Sequence, residues 1–285
     1  MLYAKKFNPQ NTNDSLSKIY SMIDDGSVVL DIGCACGDLS IALAKEKKCR
    51  VYGIEANSKS VEFCKKSAVF EKIWHYDLND FKSEDFYQYR NFFDIIVCAD
   101  VLEHLIHPEK ILSKISPLLK QGKGRMIVSL PNAAHASIKT NLLLNDFTYT
   151  EMGILDKTHL HFYTAKSIAE LLASAEFKII KADIVTMPLD GWQPHKLSEL
   201  PDSVSSFIAA DKHSYVMQFI TLCEPKKCLA KTNFQILDAS VPPLKRKSSS
   251  DFKDPFLFRL KRFAVRHLSF LIKYLEYINT LGKRP

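Results

Sequence analysis

An acidic residue and two glycines follow the first apolar segment of this 285-residue chain. The residues from Asp31 to Asp38 read DIGCACGD, with glycine at positions 33 and 37. Glycine has no Cβ, so the backbone around Gly33, Cys34 and Gly37 can approach a ligand closely. The carboxylate of Asp31 can accept a hydrogen bond from a cationic amine. The segment is therefore predicted to bind a small cofactor through Asp31, Gly33, Cys34 and Gly37.

The residues of this loop disfavour a phosphate-bearing cofactor. A dinucleotide fingerprint reads GxGxxG, and Ala35 and Asp38 stand here in its second and third glycine places. An anionic Asp38 at a helix start would also repel a pyrophosphate. The GK[ST] ending of a Walker A loop is absent. Because S-adenosylmethionine carries a sulfonium and an α-amino group, both positive, the acidic loop predicts S-adenosylmethionine as the cofactor.

Two further acids stand at the ends of the next two apolar segments. Glu55 ends the segment CRVYGIE, where a carboxylate can accept hydrogen bonds from two ribose hydroxyls. Asp77 ends the segment KIWHYD and is a candidate partner for an adenine amino group. Each acid has an alternative interpretation as a solvated residue at a strand end, and Asp77 is the weaker of the two predictions.

Several histidines are candidates for proton transfer. A hydroxyl that accepts a methyl group benefits from a general base, and histidine serves this purpose near neutral pH. His104, preceded by Glu103, follows the fourth apolar segment, His135 follows the fifth, and His159 lies in LDKTHLHFYT. His161 alternates with His159, so in an extended segment only one of the two faces the site. We predict a catalytic residue among His104, His135 and His159, and leave open which one it is.

The cysteines do not indicate a metal site. The chain has seven, an odd number, and no CxxC pair repeats at the spacing of zinc ligands. We therefore predict no metal and interpret the cysteines as free thiols of a reducing compartment.

Apolar runs and helical patterns alternate along the first half of the chain. Strands are predicted over 28–33, 49–55, 72–77, 92–100 and 125–131, and helices over 15–24, 38–47, 58–67 and 108–119. After a polar segment, a helix over 164–175 and strands over 177–185 and 214–223 follow, with 187–203 as a loop. The alternation predicts a doubly wound, mostly parallel seven-stranded α/β sheet. Ligands of such sheets lie at the carboxyl ends of the strands.

Five motifs in this order resemble those of class I S-adenosylmethionine-dependent methyltransferases. They are VLDIGCACG, YGIEANS, HYDLND, FDIIVCADVLEHLIHPEKIL and GRMIVSLPN, and the resemblance covers about residues 15–223. It implies cofactor-binding roles for Asp31, Gly33, Cys34, Gly37, Glu55, Ala56, Asp77, Leu78, Asp100 and Val101. The chain departs from the family at Ala35, where glycine is usual. A methyl group is tolerable there if φ is negative, and we expect a lower cofactor affinity.

The segment 129–164 resembles a subgroup that is found with polysaccharide and lipopolysaccharide assembly, and more distantly ubiquinone-pathway O-methyltransferases. This resemblance implies O-methylation of a hydroxyl on a sugar, a glycan or a glycolipid precursor. A small aromatic or quinone-like acceptor is the alternative, and a non-catalytic cofactor-binding module is another. Four aromatic residues of the segment could form an acceptor pocket or equally a core: Phe147, Tyr149, Phe162 and Tyr163.

The positive charge of the chain lies at its C-terminal end. The net charge is +7, whereas residues 245–285 carry eleven Lys or Arg and three acids, which leaves −1 for the rest. This distribution argues against a nucleic-acid partner for the main domain. We predict a methyltransferase domain over 1–223, a linker over 224–254 and a basic amphipathic helical tail over 255–285.

Three partners of the tail are open: its own domain, a second subunit, or an anionic membrane surface. The N-terminus lacks the apolar core of a signal peptide, and no run of about 18 apolar residues occurs. The expected location is the cytoplasm, with the tail permitting peripheral attachment to the inner face of a membrane.

Overall fold

A computed structural model describes residues 8–191 and 193–243. Within these residues the strands are β1 (Val28–Ile32), β2 (Arg50–Glu55), β3 (Phe70–His75), β4 (Ile95–Ala99), β5 (Arg125–Pro131), β6 (Phe177–Thr186) and β7 (Val216–Pro225). The α-helices are α1 (Ser15–Ser21), α2 (Asp38–Glu46), α3 (Ser58–Ser67), α4 (Pro108–Ile115), α5 (Ala136–Leu143), α6 (Ala165–Ser174), α7 (Asp202–Ala210) and α8 (Ala230–Ser240). Among them, no helix has the length and apolar character that a membrane span requires.

All seven strands belong to one sheet with the order β3-β2-β1-β4-β5-β7-β6. The first five strands pair in parallel, and β7 is inserted antiparallel between β5 and β6. The predicted doubly wound, mostly parallel seven-stranded sheet is confirmed. Strand order reverses between β1 and β4, and this point of a doubly wound sheet forms a crevice for ligands.

Alternate residues of the central strands pack into two separate cores. Leu30, Ile32 and Ile96 belong to one apolar cluster, whereas Val29 and Val97 belong to the other. Successive side chains of a strand point to opposite faces of its sheet, so both faces are covered. This burial explains why β1, β4 and β5 read as nearly continuous apolar runs.

The C-terminal part of the described chain corrects the predicted linker over 224–254. Strand β7 continues to Pro225, and α8 then occupies Ala230–Ser240. On α8, the buried amide of Asn233 accepts from the Ile179 N–H at 2.9 Å and donates to the Phe177 carbonyl at 3.0 Å. These bonds attach α8 to β6. The predicted tail over 255–285 and the rest of the linker lie outside the described residues.

Two other helices occupy segments that the sequence left without regular structure. Helix α5 lies in the polar segment after β5, and α7 begins at the end of the predicted loop over 187–203. Helix α7 buries only Ile208, and the buried residues of α5 include Ser137, Thr140 and Asn141. Neither helix has the apolar stripe by which an amphipathic helix is recognised in a sequence.

Replacing Asn233 tests the attachment of α8. The variant Asn233→Ala leaves two buried backbone groups without partners, so we expect the free energy of unfolding to fall by about 1–3 kcal/mol. The measurement is urea denaturation monitored by circular dichroism. The matched control is Gln235→Ala at an exposed position of the same helix. Equal denaturation midpoints for the two variants would contradict the structural role of Asn233.

Candidate active site

The loop between β1 and α2 contains a buried acid and two glycines in left-handed backbone. Asp31 is 4% exposed, and its carboxylate accepts from the Ser40 hydroxyl at 2.6 Å. Burial raises the pKa of Asp31 to about 7. Gly33 has φ of +68° and Gly37, at the start of α2, has φ of +78°. A Cβ on Gly33 would lie 2.5 Å from Val101 Cγ2, so position 33 requires glycine.

Ala35 also lies in left-handed backbone, with φ of +46°. The condition that φ be negative at this position is therefore not met. A residue with a Cβ is strained there by about 1–2 kcal/mol. Two contacts hold the residue in place: its N–H donates to Glu55 Oε2 at 2.8 Å, and the Cys64 thiol donates to its carbonyl at 3.2 Å.

Glu55 closes β2 and fixes the neighbouring loop. Its Oε1 accepts from the Asn57 N–H at 2.7 Å, while Oε2 accepts from the Ala35 N–H. Each carboxylate oxygen can accept more than one hydrogen bond, so the half-buried carboxylate retains capacity for two hydroxyls. The carbonyl of the exposed Ala56 lies 2.9 Å from His75 Nε2. The predicted ribose partner is thus held in a fixed orientation by the backbone.

The remaining predicted cofactor residues follow β3 and β4. Asp77 accepts from the Asn79 N–H at 2.9 Å and caps a short turn, in which Leu78 is buried in the main core. Asp100 has φ of +55°, and its Oδ1 accepts from the Gln218 amide. Val101 is buried against Gly33. The ten predicted residues therefore lie at or just after the carboxyl ends of β1, β2, β3 and β4.

This arrangement fits S-adenosylmethionine. The carboxylate of Asp31 is buried, and the ion pairs of the described residues do not include it. A ligand amine would supply the missing positive charge, and Glu55 would hold the ribose hydroxyls. Cys34 is buried, so at position 34 the backbone rather than the thiol is available to a ligand.

His135 is a capping residue. It is fully buried, and its Nδ1 accepts from the Ser137 N–H at 3.1 Å, at the start of α5. Its Nε2 lies 3.4 Å from the Met187 carbonyl. Burial lowers the pKa of His135 to about 4. Both ring nitrogens are occupied within the protein, which argues against the predicted role of His135 as a catalytic base.

The other two predicted histidines lie together beside Glu103. The rings of His104 and His159 are 4.8 Å apart between centroids. His159 Nε2 lies 4.0 Å from Glu103 Oε1, and the Glu103 side chain is fully buried. Burial and the neighbouring Asp100 raise the pKa of Glu103 well above its ordinary value, and burial lowers the pKa of His159. We call these three side chains, Glu103, His104 and His159, the Glu-His-His cluster.

Backbone hydrogen bonds bring the two parts of this cluster together. The Leu160 and His161 N–H groups donate to the Glu103 carbonyl at 2.8 and 3.2 Å. These two hydrogen bonds hold the segment after β5 against the turn after β4. From the sequence, Glu103 is recognisable only as the neighbour of His104. No signal in the sequence connects it to His159, because the two lie far apart along the chain.

The four aromatic residues of the segment separate into two groups. Phe147, Tyr149 and Phe162 contact one another with ring centroids 5.5–6.2 Å apart, and Phe162 lies 6.3 Å from the His159 ring. Phe147 and Tyr149 are 41% and 51% exposed. Tyr163 is instead part of the main core. Three of the four residues therefore form an exposed apolar surface that leads to the Glu-His-His cluster.

A doubly wound sheet with an acidic glycine loop and an acid after β2 defines the class I methyltransferase architecture. The family model described as a methyltransferase domain matches residues 5–182. The chain belongs to this family of S-adenosylmethionine-dependent methyltransferases. The predictions of family, type of enzyme and cofactor are thereby confirmed.

The chain spans about half the length of the curated relatives that it matches. The chain is 27% identical over 180 residues to the mitochondrial ubiquinone biosynthesis O-methyltransferase of Saccharomyces cerevisiae, across 60% of this chain and 56% of that protein. It is 33% identical over 105 residues to the ubiquinone biosynthesis O-methyltransferase of Pasteurella multocida, across 33% of this chain and 43% of that protein.

Solved structures show the same fold. A SAM dependent methyltransferase from Archaeoglobus fulgidus matches with a TM-score of 0.53 and 16% identity, covering 76% of this chain and 94% of that chain. The [4+2]-cyclase SpnF matches with a TM-score of 0.50 and 17% identity, covering 75% of this chain and 80% of that chain. At these identities the likeness concerns the fold alone.

Substituting glycine at position 35 tests the strain in the loop. The variant Ala35→Gly removes about 1–2 kcal/mol of strain and adds about 0.5–1 kcal/mol of backbone entropy to be lost on folding. We therefore expect a net rise of up to about 1.5 kcal/mol in the free energy of unfolding, measured by urea denaturation. The control Ala44→Gly, inside α2, should lower it by about 1 kcal/mol. A loss of stability in both variants would contradict strain at Ala35.

The raised pKa of Asp31 predicts a pH dependence of cofactor binding. A cation binds the ionised carboxylate, whose fraction rises from about 10% at pH 6 to about 50% at pH 7 for a pKa near 7. We expect the affinity for S-adenosylmethionine to increase about fivefold over this range, measured by calorimetry. The variant Asp31→Asn should bind weakly and with no such change. The same pH dependence in both proteins would exclude Asp31 as its source.

Proposed function

We propose that this chain is an O-methyltransferase whose acceptor is a hydroxyl on an aromatic or quinone-like ring. The observation that supports this proposal most strongly is the Glu-His-His cluster, in which Glu103 and His104 follow β4 and His159 lies beside the aromatic surface of Phe147, Tyr149 and Phe162. An aromatic ring packs well on such side chains. The relatives named as ubiquinone biosynthesis O-methyltransferases support the same class of acceptor.

The residues of the chain supply orientation and proton removal. S-adenosylmethionine, when bound, supplies an activated methyl group. His159 Nδ1 lies 3.0 Å from the Ile154 carbonyl, so Nδ1 carries the hydrogen and the Nε2 lone pair faces Glu103. An acceptor hydroxyl that binds here gives up its proton at the cluster.

An acceptor screen tests the proposal. The full chain is incubated with S-adenosylmethionine that carries a labelled methyl group, and with either catechol-type acceptors or glycans and glycolipid precursors. We expect labelled methyl ethers of the aromatic acceptors, identified by mass spectrometry. Label on the glycans alone would replace the aromatic acceptor by the glycan that the resemblance implied. Cofactor binding without transfer to any acceptor would favour a non-catalytic module.

Removing His159 tests its part in the reaction. We expect His159→Ala to lower kcat by about 10²–10⁴-fold, because the hydroxyl then loses the group that favours its deprotonation. The dissociation constant for S-adenosylmethionine should stay within about twofold, since the cofactor residues are distinct. The matched control is His107→Ala, at an exposed histidine outside the cluster. Equal kcat in the two variants would exclude His159 from the chemistry.

A further inference from the structure

The Glu-His-His cluster presents three side chains that commonly bind metal ions. One ligand atom from each of Glu103, His104 and His159 lies within 4.8 Å of the other two. Glu103 is fully buried, yet neither of its carboxylate oxygens has a hydrogen-bond partner in the described structure. A buried carboxylate without a partner is costly, and a positive charge at this point would offset that cost.

The surroundings of the two histidines leave lone pairs available for a metal. His159 Nδ1 lies 3.0 Å from the Ile154 carbonyl, and His104 Nδ1 lies 3.2 Å from the Thr158 carbonyl. A carbonyl oxygen only accepts, so Nδ1 is the protonated nitrogen of each neutral ring and Nε2 carries the lone pair. Carbonyl groups that orient imidazoles in this way are a common second layer around protein metal ions.

We infer that the Glu-His-His cluster binds a divalent transition-metal ion of the Zn²⁺ type. Two imidazoles favour zinc or iron over magnesium or calcium, which prefer oxygen ligands. A set of two histidines and one glutamate leaves a coordination position open, as at catalytic zinc sites. With bonds of about 2.0–2.2 Å, ligand atoms around a tetrahedral ion lie about 3.3 Å apart, so side-chain shifts of about 1–1.5 Å complete the site.

The inference rests on the proposed function in one respect: the open position would receive the acceptor oxygen. A hydroxyl bound to the ion has a lower pKa, so it is bound as the oxyanion and its proton passes to solvent water. In that state His159 is a ligand and the ion takes over the activation of the hydroxyl. The prediction of no metal was based on the spacing of the cysteines, whereas this cluster contains no cysteine.

Metal binding is measured on the full chain without cofactor or acceptor. The protein is treated with a chelator, dialysed, and titrated with Zn²⁺ by calorimetry and with Co²⁺ by visible absorption. We expect one ion at this site per chain, with cobalt bands typical of nitrogen and oxygen ligands and without the charge-transfer band of a thiolate. Glu103→Gln and His104→Asn should each weaken Zn²⁺ binding at least tenfold.

The control is a variant in which a histidine–glutamate pair on the surface, outside the cluster, is replaced. His107 Nδ1 lies 3.6 Å from Glu109 Oε1, and both side chains are exposed. The double variant His107→Ala/Glu109→Gln should bind Zn²⁺ as the wild type does. Thermal melting of every variant verifies that it is folded, and His104→Asn, at a less buried position, serves if Glu103→Gln does not fold.

The outcomes separate the metal site from the proposed function. Absence of binding at millimolar Zn²⁺, or binding that neither cluster variant weakens, would overturn the metal site. Full turnover by chelator-treated protein would overturn the activation of the acceptor hydroxyl by the ion, while leaving the O-methyltransferase proposal intact. Binding at the cluster without transfer to any hydroxyl would support the metal site and contradict the proposed function alone.

Discussion

The contact between Gly33 and Val101 determines the geometry of the carboxyl edge of the sheet. Gly33 follows β1 and Val101 follows β4, the two neighbouring strands between which strand order reverses. The two residues are so close that a Cβ on Gly33 would lie 2.5 Å from Val101 Cγ2. The cofactor loop and the turn that carries Glu103 therefore pack directly against each other. Methyl transfer requires this proximity, because donor and acceptor must meet in line.

Carboxyl groups with raised pKa are a shared property of this edge. Burial raises the pKa of Asp31, and the neighbouring Glu55 raises it further. Burial and Asp100 raise the pKa of Glu103. A ligand that brings positive charge favours the ionised form of such a carboxyl. We relate the first to the amine of the cofactor, whereas the metal proposal depends on the short distances among Glu103, His104 and His159 and on the unpartnered Glu103 oxygens.

The sequence predicted the sheet well because its central strands are buried on both faces and therefore read as apolar runs. It did not predict α8, whose attachment depends on the polar side chain of Asn233 rather than on an apolar stripe. The acids of the cofactor site were identified because strand ends are recognisable. The left-handed backbone of Ala35 was not, since φ depends on contacts with Glu55 and Cys64 from other elements.

The acceptor side was less predictable for a related reason. His135 resembled a base by its position after β5, and only the structure shows that its ring caps α5. The pairing of His159 with Glu103 results from two backbone hydrogen bonds across a long loop. Pairings of this kind depend on the folded path of the chain and leave no local pattern in the sequence.

The most direct test of this account is the binding of S-adenosylhomocysteine to the wild type and to Glu55→Ala, measured by calorimetry on protein verified to be folded. Glu55 is the acid that both fixes the loop at Ala35 and, in this account, holds the ribose. We expect the wild type to bind S-adenosylhomocysteine and the variant to bind it about 1–3 kcal/mol more weakly, because a charged hydrogen-bond acceptor is lost. Equal affinities would contradict the assignment of the cofactor to this edge of the sheet.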